Sequence, residues 1–216
     1  FQQGGTWEGW LDEVMKPAMK YPSLRMGIYA ALASPLLAHC ATQGFAFHYT
    51  GRSTIGKSTA AQVALSVAGF PGGTGLPERP GVYRPWNMTE VGGERIFAFL
   101  KNLPAYLDDS HLVKKDEVVS RMIYSLANGQ GRVRGAIRGM QRVASWRLVL
   151  IFTGETTLSE TSRMAGLQVR AIDWSIPPFH GADGDEDLES VARQFKMAIS
   201  QHYGHALPRL VRVLLA

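Results

Sequence analysis

Apolar residues in this chain form short uninterrupted runs and longer stretches with helical spacing. The short runs are rich in aromatic and β-branched residues, as in strands buried on both faces of a sheet. They lie at residues 45–49, 104–107, 147–152 and 169–176. Helical spacing is found at 7–15, 24–39, 58–68, 89–101, 115–127, 190–202 and 208–215. This alternation predicts an α/β fold, a three-layer domain with a mainly parallel central sheet.

The predicted elements divide the chain into three segments. Residues 1–43 form an N-terminal helical segment, 44–178 the core with the sheet, and 179–216 a C-terminal helical appendage. Residues 69–85 are rich in Gly and Pro and predict a loop with a short strand near Val82 and Tyr83.

Composition narrows the function classes. The chain has 216 residues, 45% of them hydrophobic, and a formal net charge of +5, which permits an acidic partner. Cys40 is the only cysteine, so no internal disulfide can form and we expect a cytoplasmic protein. Cys40 is predicted to lie on an Ala- and Leu-rich helix as a buried thiol. The most apolar stretch, 26–41, is too short to span a bilayer, so we expect no membrane partner.

The sharpest motif is Gly51-Arg-Ser-Thr-Ile-Gly56-Lys57-Ser58, which matches G-x-x-x-x-G-K-[S/T] in full. It follows a predicted strand and begins a predicted helix, so successive N–H groups can surround phosphate oxygens. Lys57 is expected to bridge the β- and γ-phosphates and Ser58 to bind Mg²⁺. The predicted cofactors are therefore ATP and Mg²⁺. The predicted binding residues are Gly51, Arg52, Ser53, Thr54, Ile55, Gly56, Lys57, Ser58 and Thr59. A chance match within a loop is the alternative.

Carboxylates and hydroxyls follow two other predicted strands. Asp108 ends an apolar run and is predicted to hold the metal, while Asp109 is placed to orient or deprotonate the attacking water. Helix capping is the alternative for both acids. Thr153 leaves the strand at 147–152 and is predicted to contact the γ-phosphate or the water, with a cap for the next helix as the alternative.

Between Glu117 and Glu155 there is no Asp or Glu, but there are six arginines. Residues 129–146 resemble a hairpin of two short runs around Gly139, inserted before the strand at 147–152. A protruding basic hairpin suits a nucleic-acid backbone, and its predicted contacts are Arg132, Arg134, Arg138 and Arg142. A subunit contact and a plain solvated loop are the alternatives.

Arg163 and Arg170 flank the start of the predicted strand at 169–176. In ring-forming ATPases an arginine at the subunit edge can stabilise charge on the neighbouring nucleotide. Either residue is a candidate for that role, Arg170 slightly favoured because the strand fixes it, and a local salt bridge is the alternative.

An ordered set of segments resembles the bacterial family called domain of unknown function 927, a predicted ATPase domain of helicase-like proteins on phages, plasmids and cassette chromosomes. The segments are Ala31-Leu-Ala-Ser-Pro-Leu-Leu37, the 51–59 loop, Trp86-Asn-Met-Thr89, Leu107-Asp-Asp109, Tyr124-Ser-Leu-Ala-Asn-Gly129, Trp146-Arg147, Thr153-Gly-Glu155 and His202-Tyr-Gly204. The resemblance implies a P-loop NTPase fold of AAA+-like type, a hexameric ring and DNA as the partner. It also implies that the hairpin lines the pore. Ser58 stands where the family often has Thr, and Asp109 where it usually has Glu.

The leading hypothesis is an ATPase, the motor domain of a DNA helicase or translocase used in replication of a mobile genetic element. Asp109 is one methylene shorter than Glu, which motivates a second hypothesis of an ATP-binding oligomeric scaffold with little turnover. A P-loop small-molecule kinase is the third, and it leaves the basic hairpin unexplained.

Overall fold

The computed structural model describes residues 2–110, 116–132, 135–136, 139–140, 143–161, 165–180 and 187–216. Five parallel strands form the central sheet in the order β2-β3-β6-β1-β7. Their bounds are β1 Phe45–Thr50, β2 Tyr83–Pro85, β3 Ala105–Asp108, β6 Val149–Gly154 and β7 Ala171–Trp174, and a separate pair comprises β4 Gly135–Ala136 and β5 Gly139–Met140. The predicted α/β class and parallel sheet are confirmed.

Helices precede, connect and follow the strands. They are α1 Trp7–Trp10, α2 Lys16–Ala18, α3 Pro22–Ala33, α4 Leu36–His39, α5 Lys57–Leu65, α6 Glu90–Leu100, α7 Asp116–Asn128, α8 Leu158–Thr161, α9 Leu188–Gln201 and α10 Ala206–Leu215. A π-helical turn, Leu11–Met15, joins α1 to α2, and a 3-10 turn, Ala165–Leu167, precedes β7. Thr89 caps α6 as its sequence position predicts, because its hydroxyl accepts from the Gly92 amide at 3.1 Å.

Alternate residues of the central strands pack into two separate cores, one on each face of the sheet. Phe47 and Ile151 face the core that holds residues of α3, α5, α9 and α10. Leu150 and Phe152 face the other core, which holds residues of α6 and α7. Side chains alternate in direction along a strand, and every residue of β6 is buried. A parallel sheet covered on both faces requires this pattern.

The two terminal segments pack together on the α5 face. Trp10 donates its indole N–H to the Ser66 hydroxyl at 3.0 Å, inside the core. Gly4 and Tyr203 form an antiparallel bridge, and the Gly204 amide donates to the Ser66 carbonyl at 2.7 Å. Both segments are therefore fastened to the end of α5, the helix that follows the glycine-rich loop.

The hairpin predicted at 129–146 is present as the antiparallel pair of β4 and β5. The paired residues are Gln130 with Ser145, Gly135 with Met140, and Ala136 with Gly139. These three pairs share one register. Gly139, which the sequence places at the turn, is instead the first residue of β5. Trp146 is buried at the root of the hairpin, with its ring centroid 5.7 Å from that of Phe97 in α6.

Two tryptophans and the cysteine of the chain differ in their exposure to solvent. Trp86 and Trp146 are both buried. Cys40 is exposed, so the prediction of a buried thiol is wrong; α4 ends at His39, and Cys40 follows it as the C-cap. Among the helices described, none combines the length and apolar character needed to cross a bilayer.

Close packing of α3 against the sheet yields a stability prediction. A Cβ added at Gly27 would lie 1.9 Å from the Tyr49 hydroxyl oxygen and 3.2 Å from the Ala64 Cβ. Gly27→Ala should therefore lower the free energy of unfolding by roughly 1–3 kcal/mol, through overpacking. Tyr49→Phe should cost about 1 kcal/mol, because the hydroxyl donates to the Ser23 carbonyl at 2.9 Å. The double variant should lose less than the sum of the two, in urea unfolding.

Gly92→Ala is the matched control, since the nearest atom to an added Cβ there is 3.5 Å away. Gly92 lies in α6, so alanine should be neutral or stabilising by up to about 1 kcal/mol. Additive losses in the double variant would show that the Tyr49 hydroxyl is not what excludes a side chain at position 27.

Candidate nucleotide-binding site

Three strand ends meet at the carboxyl edge of the sheet. β1 leads into the glycine-rich loop at 51–56, β3 ends in Asp108, and β6 ends in Thr153 and Gly154. Since β6 lies between β1 and β3, these groups converge on one pocket of about 800 Å³. Ligands of open α/β sheets bind beyond the carboxyl ends of the strands, and this volume lies in the usual range for a ligand pocket.

The glycine-rich loop uses backbone conformations that favour glycine. Gly51 and Gly56 have φ of 137° and 90°, and Thr54 also has a positive φ of 65°. A Cβ at Gly56 would lie 2.4 Å from the Phe179 ring. α5 then begins at Lys57, so its unpaired N–H groups point toward the loop, and such a helix start attracts anions.

The Lys57 ammonium lies against its own loop. Its Nζ donates to the carbonyl oxygens of Gly51 at 2.8 Å and Arg52 at 2.6 Å. Partial burial lowers the pKa of Lys57, while the carboxylates of Glu155, Asp109 and Asp108 act in the opposite direction, Glu155 most strongly. A phosphate that entered the loop would offer the ammonium an anionic partner in place of two neutral carbonyls.

A chain of hydrogen bonds joins the three strand ends. Asp108 is buried, and its Oδ1 accepts from the Ser58 hydroxyl at 3.0 Å and from the Thr153 hydroxyl at 2.7 Å. Thr153 Oγ1 in turn accepts from the Asp109 amide at 2.9 Å. Asp109 has a φ of 59°, so its backbone turns sharply after β3. Thr157, rather than Thr153, accepts from a backbone amide at the start of α8, that of Glu160.

Ser58 and Asp108 have the chemistry that a magnesium site needs. A hydroxyl and a carboxylate oxygen, already 3.0 Å apart, are hard oxygen ligands of the kind that Mg²⁺ prefers. The described residues contain no group of three or more His, Cys, Asp or Glu side chains that could hold a metal. A Mg²⁺ ion at this position would therefore complete its coordination with phosphate oxygens and water, which suits a nucleotide site.

Two tyrosines beside Asp108 stay neutral. Burial raises the pKa of Tyr106 well above its ordinary value, and the nearby Asp108 carboxylate raises it further. Burial and the same carboxylate also raise the pKa of Tyr83. The carboxylates that line the pocket are those of Asp108, Asp109, Glu155 and Glu189.

Glu155 is a site residue that the sequence reasoning named within a motif but did not select. Its Oε1 accepts from the Ser53 hydroxyl at 2.8 Å, which joins the end of β6 to the glycine-rich loop. The signal was present, because Glu155 follows Thr153 by two residues on the strand next to β1. The structure thus adds its carboxylate to the pocket.

The C-terminal segment forms one wall of the pocket. Phe179, Leu188, Ala192 and Lys196 line it opposite the glycine-rich loop, and Thr74 joins them from the Gly-rich connection. The sequence indicated only a helical appendage here. Helical spacing alone does not tell which sheet edge α9 will cover.

A buried histidine supports the pocket from below. His48 Nδ1 lies 2.7 Å from Asp173 Oδ1, and its ring stacks on Phe152 with centroids 4.1 Å apart. A Cβ at Gly154 would lie 2.6 Å from His48 Nε2 and 2.5 Å from the Ser110 hydroxyl. Glycine is therefore required where the chain leaves β6 next to Thr153.

The predicted trans-acting arginines lie away from this pocket or outside the described residues. Arg170 precedes β7 at the amino edge of the sheet, opposite the glycine-rich loop. Its guanidinium donates to the Gly166 carbonyl at 2.7 Å and lies 4.7 Å from the centre of the Tyr124 ring. Within the described part of the chain, these local contacts hold the Arg170 side chain. Arg163 falls outside the described residues.

Among the hairpin arginines, Arg132 has carboxylate partners. It pairs with Glu90, and its Nε lies 3.8 Å from the Glu94 carboxylate. Glu90 also pairs with Arg121, at 3.2 Å. The other predicted nucleic-acid contacts, Arg134, Arg138 and Arg142, lie outside the described part of the chain.

The fold and the site define an α/β protein with a glycine-rich loop and paired acids at the carboxyl edge of a parallel sheet. The chain belongs to the family DUF927, a domain of unknown function, whose model matches residues 1–146. The resemblance stated from the sequence is confirmed.

The fold is shared with solved structures. The chain is similar to the SCCmec type IV Cch active helicase, with a TM-score of 0.74 and 26% sequence identity over 99% of this chain. It covers 38% of that helicase chain. Comparison with curated proteins gave no match.

The hydroxyl of Thr153 generates a prediction for the site. Thr153→Val keeps the shape but leaves the Asp109 amide without its acceptor and Asp108 without one donor. The free energy of unfolding should fall by roughly 1–3 kcal/mol. The stabilisation that ATP and Mg²⁺ together confer should also decrease, because Asp108 is no longer held in place. Thermal unfolding with and without ATP and Mg²⁺ measures both effects.

Thr153→Ser is the control and should restore both properties, since it keeps the hydroxyl. If the valine variant unfolds like the wild type and responds equally to nucleotide, the hydroxyl does not organise the two acids.

Proposed function

We propose that the chain is the ATP-hydrolysing motor domain of a DNA helicase or translocase, with an AAA+-like P-loop NTPase fold. Its relation to the Cch helicase supports the helicase class. This chain covers 38% of that helicase, so the activity of a whole protein rests on parts beyond the comparison. Replication of a mobile genetic element is the proposed setting.

One observation carries the proposal: Ser58 and Asp108 are hydrogen-bonded to each other directly beside the Lys57 ammonium. The sequence supplies Lys57 and Ser58 from one segment and Asp108 from another, 50 residues away. A phosphate-binding loop alone could hold many anions. A loop joined to a buried carboxylate at the metal-binding hydroxyl is what triphosphate chemistry with Mg²⁺ requires.

In the proposed mechanism, ATP places its phosphates in the 51–59 loop. Lys57 exchanges the carbonyls of Gly51 and Arg52 for phosphate oxygens and stabilises the charge that develops during transfer. Ser58 and Asp108 would hold Mg²⁺, which would neutralise charge on the β- and γ-phosphates. Thr153 keeps Asp108 and the Asp109 backbone in position through its two hydrogen bonds.

Two carboxylates can act on the attacking water. Asp109 follows Asp108 and is the residue that chain order favours. Glu155 has the longer side chain and sits on the glycine-rich loop, where the Ser53 hydroxyl now occupies one oxygen. We assign water activation to Glu155, because its side chain is the longer of the two and already contacts the glycine-rich loop through Ser53, and a supporting electrostatic role to Asp109.

DNA is the proposed partner, and a hexameric ring the proposed assembly. The hairpin with Arg132, Arg134, Arg138 and Arg142 would face the DNA backbone in the ring's pore. Arg170 lies at the sheet edge opposite its own pocket, so it could act only on a neighbour's nucleotide, after leaving Tyr124. Arg163 is the other candidate for that role.

A scaffold with little turnover is the second candidate function. The observation that favours this function is that the Lys57 ammonium already has two hydrogen-bond acceptors in its own loop. Nucleotide must break both bonds, which would slow entry. Such a protein would bind ATP and assemble without rapid phosphate release.

The motor proposal predicts ATP hydrolysis that depends on Lys57. Lys57→Ala should lower kcat by on the order of 100-fold or more, because it removes charge stabilisation in the transition state. Single-stranded DNA should stimulate the wild type. A phosphate-release assay with and without DNA, on a sample whose mass is known from light scattering, measures both. Lys20→Ala is the matched control, because Lys20 is an exposed lysine that does not line the pocket.

An unchanged rate in Lys57→Ala would refute the catalytic assignment. Tight ATP binding and assembly in the wild type, with negligible phosphate release even in the presence of DNA, would favour the scaffold.

Replacing each carboxylate by its isosteric amide distinguishes the role of Glu155 from that of Asp109. Glu155→Gln should lower kcat by roughly 10²-fold or more with little change in KM, since it removes general-base catalysis but not nucleotide contacts. Asp109→Asn should have the smaller effect on kcat. The reverse order, measured by steady-state ATPase kinetics, would return the water-activating role to Asp109.

A further inference from the structure

A second cleft opens at the opposite edge of the sheet from the nucleotide pocket. It has a volume of about 530 Å³ and lies where the chain enters β1, β3 and β6. Residues 41–44, 101–102 and 145–147 form it together with the end of α7 and the first residues of the hairpin. The cleft is therefore the root of the hairpin, and nothing in the nucleotide site uses it.

The floor of this cleft is held by backbone contacts. The Arg147 amide donates to the Lys101 carbonyl at 3.0 Å, and the Trp146 amide to the Gly129 carbonyl at 2.9 Å. A Cβ at Gly44 would lie 2.7 Å from the Leu148 carbonyl oxygen, so these segments approach closely. The buried Trp146 ring fixes the root further. The side chains that line the cleft therefore project from a backbone that these contacts hold in place.

The side chains around the cleft are suited to an anion. Two are cations, no lining residue is acidic, and several carry amide N–H donors. The cations are Lys101 and Arg147, and the amides are Gln43, Asn102, Asn128 and Gln130. Small-molecule pockets are mostly apolar, whereas phosphate backbones are bound by Lys, Arg and polar side chains.

The two cations differ from the arginine farther along the hairpin. Arg132 has Glu90 and Glu94 as partners, and Arg121 has Glu90 and Glu117. Lys101 and Arg147 are both exposed, and neither has a carboxylate within 4.0 Å among the residues that the structure describes. Their charges are therefore the ones at the hairpin root that no acid of the described chain neutralises.

We propose that this cleft binds the phosphodiester backbone of a DNA strand, with Lys101 and Arg147 as the principal contacts and the amides as hydrogen-bond donors. The proposal rests on the proposed function as a DNA motor and extends it. It adds a fixed DNA contact at the base of the hairpin. The same chemistry would accept a free phosphate or a mononucleotide, so the experiment includes both as competitors.

The test is fluorescence anisotropy of labelled oligo(dT) with the 216-residue chain over a series of salt concentrations. The variant Lys101→Ala with Arg147→Ala should bind more weakly. The slope of log K against log salt should become shallower by about 1.4, because two single-strand phosphate contacts are lost at about 0.7 each. Lys101→Gln with Arg147→Gln, which removes both charges but keeps flexible polar side chains, should give the same change and guards against a folding defect. ATPase activity without DNA should stay at the wild-type level.

The matched control is Lys20→Ala with Arg212→Ala, which removes the same charge from exposed positions remote from the cleft. It should keep the wild-type slope. Wild-type affinity and slope in both cleft variants would overturn the inference while leaving the DNA motor intact. Competition by inorganic phosphate or dTMP as effective as that of unlabelled oligo(dT), at equal phosphate concentration, would also overturn it. A wild type that neither binds DNA nor responds to it would instead remove the DNA part of the proposed function.

Discussion

The candidate site depends on one buried carboxylate. Asp108 lies below the protein surface, where an ionised carboxylate is costly unless hydrogen-bond donors or cations surround it. Two hydroxyls, from Ser58 and Thr153, supply donors to a single oxygen of Asp108. These partners come from the helix after β1 and from the end of β6, so the carboxylate joins three segments that are distant in the sequence. Loss of either hydrogen bond would leave the buried Asp108 carboxylate with one donor fewer. The two bonds therefore favour this one arrangement of the three segments.

The same constraint explains why the neighbouring backbone is unusual. Asp109 adopts a positive φ immediately after Asp108, and its amide reaches the Thr153 hydroxyl. A non-glycine residue in this region carries some strain, which the surrounding contacts must offset. Gly154 must lack a side chain because His48 and Ser110 fill the adjacent space. His48 is held by Asp173, so the stacking beneath the site extends across β1 to the edge strand β7. The shape of the pocket therefore depends on buried residues beneath it as well as on the residues that line it.

How much of the structure the sequence predicts depends on whether an interaction leaves a local pattern or joins segments that are distant in the chain. Uninterrupted apolar runs at β1 and β6 predicted a parallel sheet, because burial on both faces leaves a local pattern. Lys57, Ser58 and Asp108 were predicted because their chemistry requires fixed positions relative to strand ends. Lys196 and His48 were missed, since their partners are set by how distant helices and strands pack. Cys40 was misassigned because the helix ends one residue earlier than the apolar pattern suggests. Glu155 was visible in its motif, but its contact with Ser53 and its place in the pocket lining depend on how β6 packs beside the glycine-rich loop.

The two edges of the sheet define how nucleotide and DNA could be coupled in the proposed motor. β1 and β6 each span six residues, about 20 Å, between the hairpin root and the nucleotide pocket. Coupling over such a distance requires an element with two arrangements that both ligands bias. At the carboxyl edge, the Lys57 side chain can have two arrangements, because carbonyl oxygens and phosphate oxygens compete for its ammonium. At the amino edge, the backbone bonds between Arg147 and Lys101 and between Trp146 and Gly129 make the hairpin root rigid. A shift of β6 relative to β3 would therefore act on the bond between Arg147 and Lys101, and DNA held at these two residues would sense it directly.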